Sequence, residues 1–334
     1  MEERKRTMWF EKLTGFVEES PEQVRRNITV DGVELKSHVN GKRLICGELE
    51  TPSLAELRER VRSDAHNTGT TSVREVVANV QHLHANEVNA GSLFQVASQF
   101  NLLEMVSSSV TPESGVGIYE DDPTQGPACA IAAGAGTIYR NYFATVNGQI
   151  GQSATNQIDC LADVGVALGN SDGHVWKMRN GYALATESGL TEISDRLRAA
   201  GESERDKLRG LLRIGIHWDT QVTLNDSLHK VSQAYCSALP VTYSDHSSSL
   251  WAEFAKLVLE ASYEGTFCAA ILNLRRTGNN TVFLTLLGGE SFGNETDWII
   301  CAIKRAIELY NDFGLDVVIV SYGSSKPEIQ NLVT

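Results

Sequence analysis

The chain has no excess of basic residues, no long apolar run, no closely paired cysteines and no internal repeat, and each absence removes a class of function. Its 29 Lys and Arg are outnumbered by 42 Asp and Glu, giving a formal net charge of −13. Non-specific nucleic-acid binding needs a basic face to neutralise phosphates, so no nucleic-acid partner is expected. A small anionic ligand is compatible with this charge, because its site is set by local dipoles. No stretch approaches the roughly 20 apolar residues of a membrane span, so no membrane partner is expected. Met1 to Arg6 is charged where a secretory signal would be apolar, which points to a cytoplasmic or nucleocytoplasmic protein. The six cysteines (Cys46, Cys129, Cys160, Cys236, Cys268 and Cys301) form no Cys-x-x-Cys pair. Reduced, buried thiols are expected, with no zinc and no other metal or cofactor.

What is present is ordinary for a globular protein: 334 residues, 42% hydrophobic and 21% charged. The pattern predicts one α/β domain over residues 71–334, preceded by a helical and β-hairpin extension over 1–70. In that extension Trp9, Phe10, Leu13 and Phe16 have helical spacing. Asp31-Gly32 and Asn40-Gly41 punctuate a β-meander from Asn27 to Glu50, and Pro52-Ser53 opens a helix to about Arg62. Packing or partner contact is the role expected of this part. Further on, Leu93–Ala97 reads as a buried strand, Ala128 to about Phe143 as one small-residue helix, and Trp176–Leu184 as a hairpin turning at Arg179-Asn180-Gly181. Ile214–Val222 and Lys230–Leu239 read as strands, and Trp251–Ala269 as an amphipathic helix.

Two loops stand out as ligand sites. Val282–Leu287 reads as a buried strand that ends in Gly288 and Gly289. Gly293 follows, and an amphipathic helix opens at Asn294–Asp297 with Ile299, Ile303, Ile307 and Tyr310 on one face and Gly314 as its C-cap. A strand feeding a glycine-rich loop at a helix N-terminus presents free N–H groups to phosphate; the alternative is a tight turn without a ligand. Earlier, the strand at Leu93–Ala97 ends in Ser98, Gln99, Phe100 and Asn101, polar groups at the carboxyl end of a strand, where open α/β sheets place ligands. Thr124-Gln125-Gly126-Pro127 then enters the small-residue helix.

Together these parts resemble the macrodomain fold, which implies a three-layer α/β/α domain with a mixed central sheet. Leu287 to Asn294 is similar to the macrodomain loop that wraps the pyrophosphate and distal ribose of ADP-ribose. Leu93–Asn101 resembles the strand that ends there in a polar Asn, and Thr124–Ala130 stands where the glycine-rich first loop enters a helix. The chain departs from the family at that loop, with a single Gly126 followed by Pro127 and without the paired glutamates of poly(ADP-ribose) glycohydrolases. A closer resemblance, over roughly residues 80–325, is to the MavL-type macrodomains, ADP-ribosyl-arginine hydrolases acting on ADP-ribosylated ubiquitin. It is carried by Phe94–Asn101, Thr124–Ala130, His217–Val222, Val231–Pro240 and the 285–294 loop. The resemblance implies ADP-ribose as ligand and product, and a mono-ADP-ribosylated protein, ubiquitin among the options, as partner. Ser98, Gln99, Asn101, Thr124, Gln125, Gly126, Gly288, Gly289, Ser291, Phe292, Gly293, Asn294 and Tyr322 are the candidate ADP-ribose-binding residues, with Tyr322 placed to stack on adenine.

Cleaving an N-glycosidic bond to arginine passes through an oxocarbenium-like transition state, which calls for carboxylates. Asp219 is the first candidate and Asp226 the second, each weighed against a structural role as an ion-paired or turn-forming aspartate. Glu260 and Glu264 share a helix face but lack a histidine partner for a metal site. Asp121 and Asp122 are placed at the outer rim, and His217 reads as a strand histidine satisfied by its neighbours. The alternatives are a reader of ADP-ribose without turnover, and a hydrolase of free ADP-ribose derivatives.

Overall fold

Seven short strands, apolar and β-branched at the centre and more polar at the edges, form the central sheet of this computed structural model, which describes residues 8–63 and 69–333. In chain order they are β1 (Glu48–Glu50), β2 (Ser72–Val77), β3 (Leu93–Ala97), β4 (Gly215–Gln221), β5 (Lys230–Cys236), β6 (Thr281–Leu284) and β7 (Asp316–Ser321). The spatial order is β1-β4-β5-β3-β6-β7-β2. From β5 to β2 every pair is parallel, while β4 runs antiparallel to both of its neighbours. The strands at the centre are buried on both faces and carry almost no polar alternation, as parallel sheets covered by helices require.

Side chains alternate across the strand, and β3 shows the two covering layers directly. Phe94 stacks on His84 of helix α2 (Val80–Ala85), with ring centroids 3.7 Å apart. The next residue, Gln95, points the other way and donates to Thr266 of the 30-residue helix α5 (Ser248–Thr277). On the α2 side lie α3 (Gln125–Ala132) and α4 (Gly134–Tyr142). On the other, α5 packs against α1 (Leu54–Arg62) and α6 (Thr296–Leu309). The fold is therefore the expected three-layer α/β/α arrangement with a mixed sheet.

Two expectations about helix limits need correction. The small-residue helix is not continuous: at Ala133 the backbone leaves helical geometry (φ −115°, ψ 55°), and α3 gives way to α4. Thr223 causes the break. Its N–H donates to the Ala132 carbonyl and its hydroxyl accepts from Gly134 N–H, replacing the helix's own bonds. Gly134 is needed there because a Cβ would stand 2.7 Å from the Trp9 ring. Gly314 is not the C-cap of α6, which ends at Leu309 with Tyr310 as its cap, four residues before Gly314. The Tyr310 hydroxyl bonds to Glu264 in the core, which holds the chain at that point.

The N-terminal residues form a helix (Trp9–Thr14), a second helix (Pro21–Asn27) and the expected three-stranded meander of Ile28–Asp31, Glu34–Ser37 and Arg43–Ile45. Trp9, Phe10, Val24, Leu35 and Leu44 build a core of their own, to which Leu103, Met105, Tyr119, Ile138 and Tyr142 also belong. The extension thus grips the loop after β3 as well as α4. Among the described residues no helix is long and apolar enough to cross a membrane.

Candidate active site

A cleft of about 1600 Å³ opens at the carboxyl ends of β3, β6 and β7, the end of an open α/β sheet at which ligands bind. Its floor is the loop that follows β3. There Ser98 donates its hydroxyl to the Leu103 carbonyl, Gln99 N–H donates to that same carbonyl, and the Gln99 side-chain oxygen accepts from Met105 N–H. Asn101 accepts from Leu103 N–H through its side chain. Leu102, at φ +63°, makes the tight turn that these bonds hold. The polar groups Ser98, Gln99 and Asn101 therefore bracket one residue between Leu103 and Met105, and that residue is Glu104.

Glu104 is 2% exposed and lines the cleft, and neither of its carboxyl oxygens accepts a hydrogen bond from the protein. Its backbone N–H is capped by the Tyr119 hydroxyl at 3.0 Å. The nearest cation is the fully buried Arg140, 3.6 Å away, whose guanidinium lies 3.7 Å over the Tyr235 ring and donates to the Leu102 carbonyl. Burial pushes the Glu104 carboxyl up to about 7, with Arg140 as the largest opposing influence. An acid raised to about 7 beside a cleft, with neither oxygen committed to a hydrogen bond within the protein, has the properties of a proton donor. The sequence reading missed it. A lone carboxylate in the apolar run Leu102-Leu103-Glu104-Met105 was the available signal, since acids are rarely buried unless paired, as Glu104 is with Arg140.

Above Glu104 stands the N-terminus of α3. Asp122 accepts from Thr124 N–H, and the exposed Thr124 occupies the N-cap without using its own hydroxyl as a cap. Gln125 is fully occupied, accepting from Ala97 N–H and donating to the Gln95 carbonyl, so it stitches helix to strand. Gly126 lets that stitch close: a Cβ there would lie 1.9 Å from the Ala97 carbonyl oxygen and 3.2 Å from Glu104 Cγ. Thr124, Gln125, Gly126, Ser98 and Gln99 all line the cleft, whereas Asn101 is turned away and bonds to Gln157.

The opposite wall is the loop from Thr285 to Asn294. Gly288, Gly289, Ser291 and Phe292 line the cleft. Phe292 packs with Tyr182 and Tyr243, ring centroids 5.4 and 5.6 Å away, into an aromatic wall. Gly293 and Asn294 lie behind it. Asn294 donates to the carbonyls of Leu239 and Gly288, closing the loop on itself. Gly293, at φ +71°, would bring a Cβ to 2.2 Å from the Thr242 methyl, so this glycine serves packing rather than phosphate approach. Tyr322 is 81% exposed at the end of β7 and faces the cleft.

The two aspartates part company. Asp226 is exposed in a turn at φ +56° and lines the cleft. Asp219 does not reach it. It sits at φ +52° in a bulge of β4, near the start of β5, and pairs with Arg276 at 2.6 Å. Arg276 lies near the end of α5, on the face of the sheet opposite α3, so the Asp219 carboxyl is turned away from the cleft. Asp219→Asn is accordingly expected to keep turnover within about twofold of wild type. It should cost about 1 kcal/mol of stability or less, the scale of a half-exposed ion pair. A parallel activity assay and urea titration check this, and a hundredfold loss of turnover at unchanged stability would return Asp219 to the mechanism.

Other candidates are absorbed by structure. Glu264 is held by Arg58 (2.5 Å) and Arg305 (2.6 Å), and Glu260 by Arg209 (2.6 Å). His217 is buried and kept neutral by burial; its Nδ1 lies 3.4 Å from Arg140, but its Nε2 has no partner, so its neighbours satisfy it only in part. Among the described residues no group of three or more His, Cys, Asp or Glu is placed to hold a metal ion.

No family model matches the chain, and no curated protein does. Among solved structures it is similar to the poly(ADP-ribose) glycohydrolase of Thermomonospora curvata, at 10% identity and a TM-score of 0.47 over 93% of this chain and 94% of that one. It is similar too to the poly(ADP-ribose) glycohydrolase of Deinococcus radiodurans in complex with ADP-ribose, at 10% identity and 0.44 over 86% and 95%. At that distance the likeness does not bear on the site, whose reading rests on the geometry above.

Proposed function

We propose that this protein is a hydrolase that cleaves a glycosidic bond of ADP-ribose carried on a protein side chain. The Glu104 carboxyl carries the reading: it is buried, without a hydrogen-bond partner, and raised to about 7 at the floor of a cleft. In this reading the pyrophosphate lies against the N-terminus of α3 and the loop around Gly288 and Gly289, where N–H groups and the helix dipole favour anions. Tyr322 and the aromatic wall of Tyr243 and Phe292 offer faces for stacking. Glu104 gives its proton to the departing atom while water attacks C1 of the ribose. A carboxylate of the cleft, Asp226 or Asp122, offsets the developing positive charge. The resemblance of the cleft loops to MavL-type macrodomains extends the proposal to an arginine linkage, with ubiquitin as one substrate. The acids Asp121, Asp122 and Asp226 at the cleft would suit a guanidinium.

Calorimetry tests the first step. ADP-ribose is expected to bind with a micromolar Kd, about −8 kcal/mol, and absence of binding by the folded protein would end this reading. Incubation with arginine-linked and glutamate-linked ADP-ribosylated protein side by side then reads released ADP-ribose. Release from the arginine-linked substrate supports the linkage, and binding without release from either would leave a reader.

A further inference from the structure

The cleft is larger than one small ligand needs. Pockets for such ligands run to about 300–1,000 Å³, whereas this one has a volume of about 1600 Å³. The additional room lies along α3, away from Gly288, between two walls of which the ADP-ribose reading uses Asp226 alone. One is the N-terminal extension, through Lys12, Lys42 and Leu44; the other is the turn carrying Leu224, Asp226 and Leu228. Lys12 and Lys42 touch, the Lys42 ammonium donating to the Lys12 carbonyl at 3.4 Å. Both are exposed, and no carboxylate among the described residues lies within ion-pair distance of either. Their neighbour Arg43 is different, being paired with Glu34. These two lysines stand side by side on a cleft that also carries the acids Glu120, Asp121, Asp122 and Asp226, in a chain of net charge −13. Across from them Leu228 is 83% exposed, an apolar side chain offered to the cleft without cover.

We propose that this outer compartment binds the polypeptide next to the modified residue, and that it selects a segment with acidic residues and at least one apolar side chain. This rests on the proposed hydrolase reading, in which ADP-ribose fills the inner compartment and the modified side chain leaves it along α3. Acidic side chains of the segment meet Lys12 and Lys42, and an apolar one covers Leu228. The extension then contributes to substrate choice as well as gripping the Glu104 loop, through residues that touch neither ADP-ribose nor the reacting bond. Charge pairs of this kind set partner choice and encounter more than intrinsic affinity, and they weaken with salt.

The test uses the full chain and fluorescent decapeptides built around one arginine, flanked by Glu and Leu or by Lys and Leu, each with and without ADP-ribose on the arginine. The ADP-ribosylated acidic peptide is expected to bind about tenfold more tightly than free ADP-ribose and than its basic counterpart. In the double variant Lys12→Glu, Lys42→Glu that advantage disappears while the Kd for free ADP-ribose stays within twofold. Equal binding of acidic and basic peptides would overturn the proposal, as would a preference that survives the double variant. Poly(ADP-ribose) that displaces the peptide and itself loses affinity in the variant would give the lysines to a second ADP-ribose unit, which also overturns it. If free ADP-ribose does not bind, the hydrolase reading falls. The unmodified acidic peptide then decides the outer compartment alone, its binding with loss in the double variant supporting the proposal and its failure to bind overturning it.

Discussion

Glu104→Gln is expected to lower turnover by roughly a thousandfold, within the range for loss of a general acid, while ADP-ribose affinity stays within about threefold. The amide keeps the shape of the side chain and removes the transferable proton. Free ADP-ribose has no leaving group to protonate, so its binding reports only the ground state. The pH profile gives a second signature. The acid must be protonated to act, so wild-type turnover should fall as pH rises through about 7, and the residual rate of the Gln variant should lack that limb. Stability follows the same proton. The folded-state value of this carboxyl is raised above its ordinary 4.5 to about 7, so its favourable contribution is complete below 4.5 and is lost as pH rises through 7. Urea titrations at pH 5 and pH 8 should therefore show the Gln variant gaining on wild type at the higher pH. A variant with undiminished turnover would remove Glu104 from the chemistry and leave Asp226 or Asp122 to carry it.

Gly126→Ala is expected to be the most damaging single-methyl change in the molecule. An added Cβ would be driven to 1.9 Å from the Ala97 carbonyl oxygen, and that atom belongs to the backbone at the end of a central strand. It cannot rotate aside as a side chain would. Either α3 lifts from β3, breaking both bonds made by the Gln125 amide, or the strand end shifts and takes the Glu104 loop with it. We expect a loss of about 3 kcal/mol or more, at the upper end of overpacking effects, with loss of ADP-ribose binding. Urea denaturation and calorimetry on one preparation measure both. Wild-type stability in this variant would mean that helix and strand do not approach so closely.

The strands, the meander and the loop-to-helix joints were legible because their signals are local: Asn-Gly and Asp-Gly turns, Pro52-Ser53 at a helix start, and apolar runs ended by glycine. The site was legible in outline for the same reason. What local pattern does not carry is which group a polar side chain faces. Ser98, Gln99 and Asn101 read as ligand contacts, yet they spend their hydrogen bonds on holding Glu104. Asp219 read as an acid at a strand, but Arg276 lies 57 positions later and brings its charge only through the fold. The break between α3 and α4 likewise depends on Thr223, some 90 residues beyond it.

The short strand Glu48–Glu50 has a consequence for any shortened form of the chain. It pairs with Ile216–Trp218 and so closes one side of the sheet, and Glu50 accepts a 2.6 Å bond from the Trp218 indole. A chain beginning at residue 71 would leave that side with open N–H and carbonyl groups, beside a tryptophan stripped of its partner. Exposed strand edges of this kind recruit other chains, so such a fragment should self-associate as its concentration rises. Restoring residues 48–50 with the following helix should remove the part of this self-association that the open edge drives.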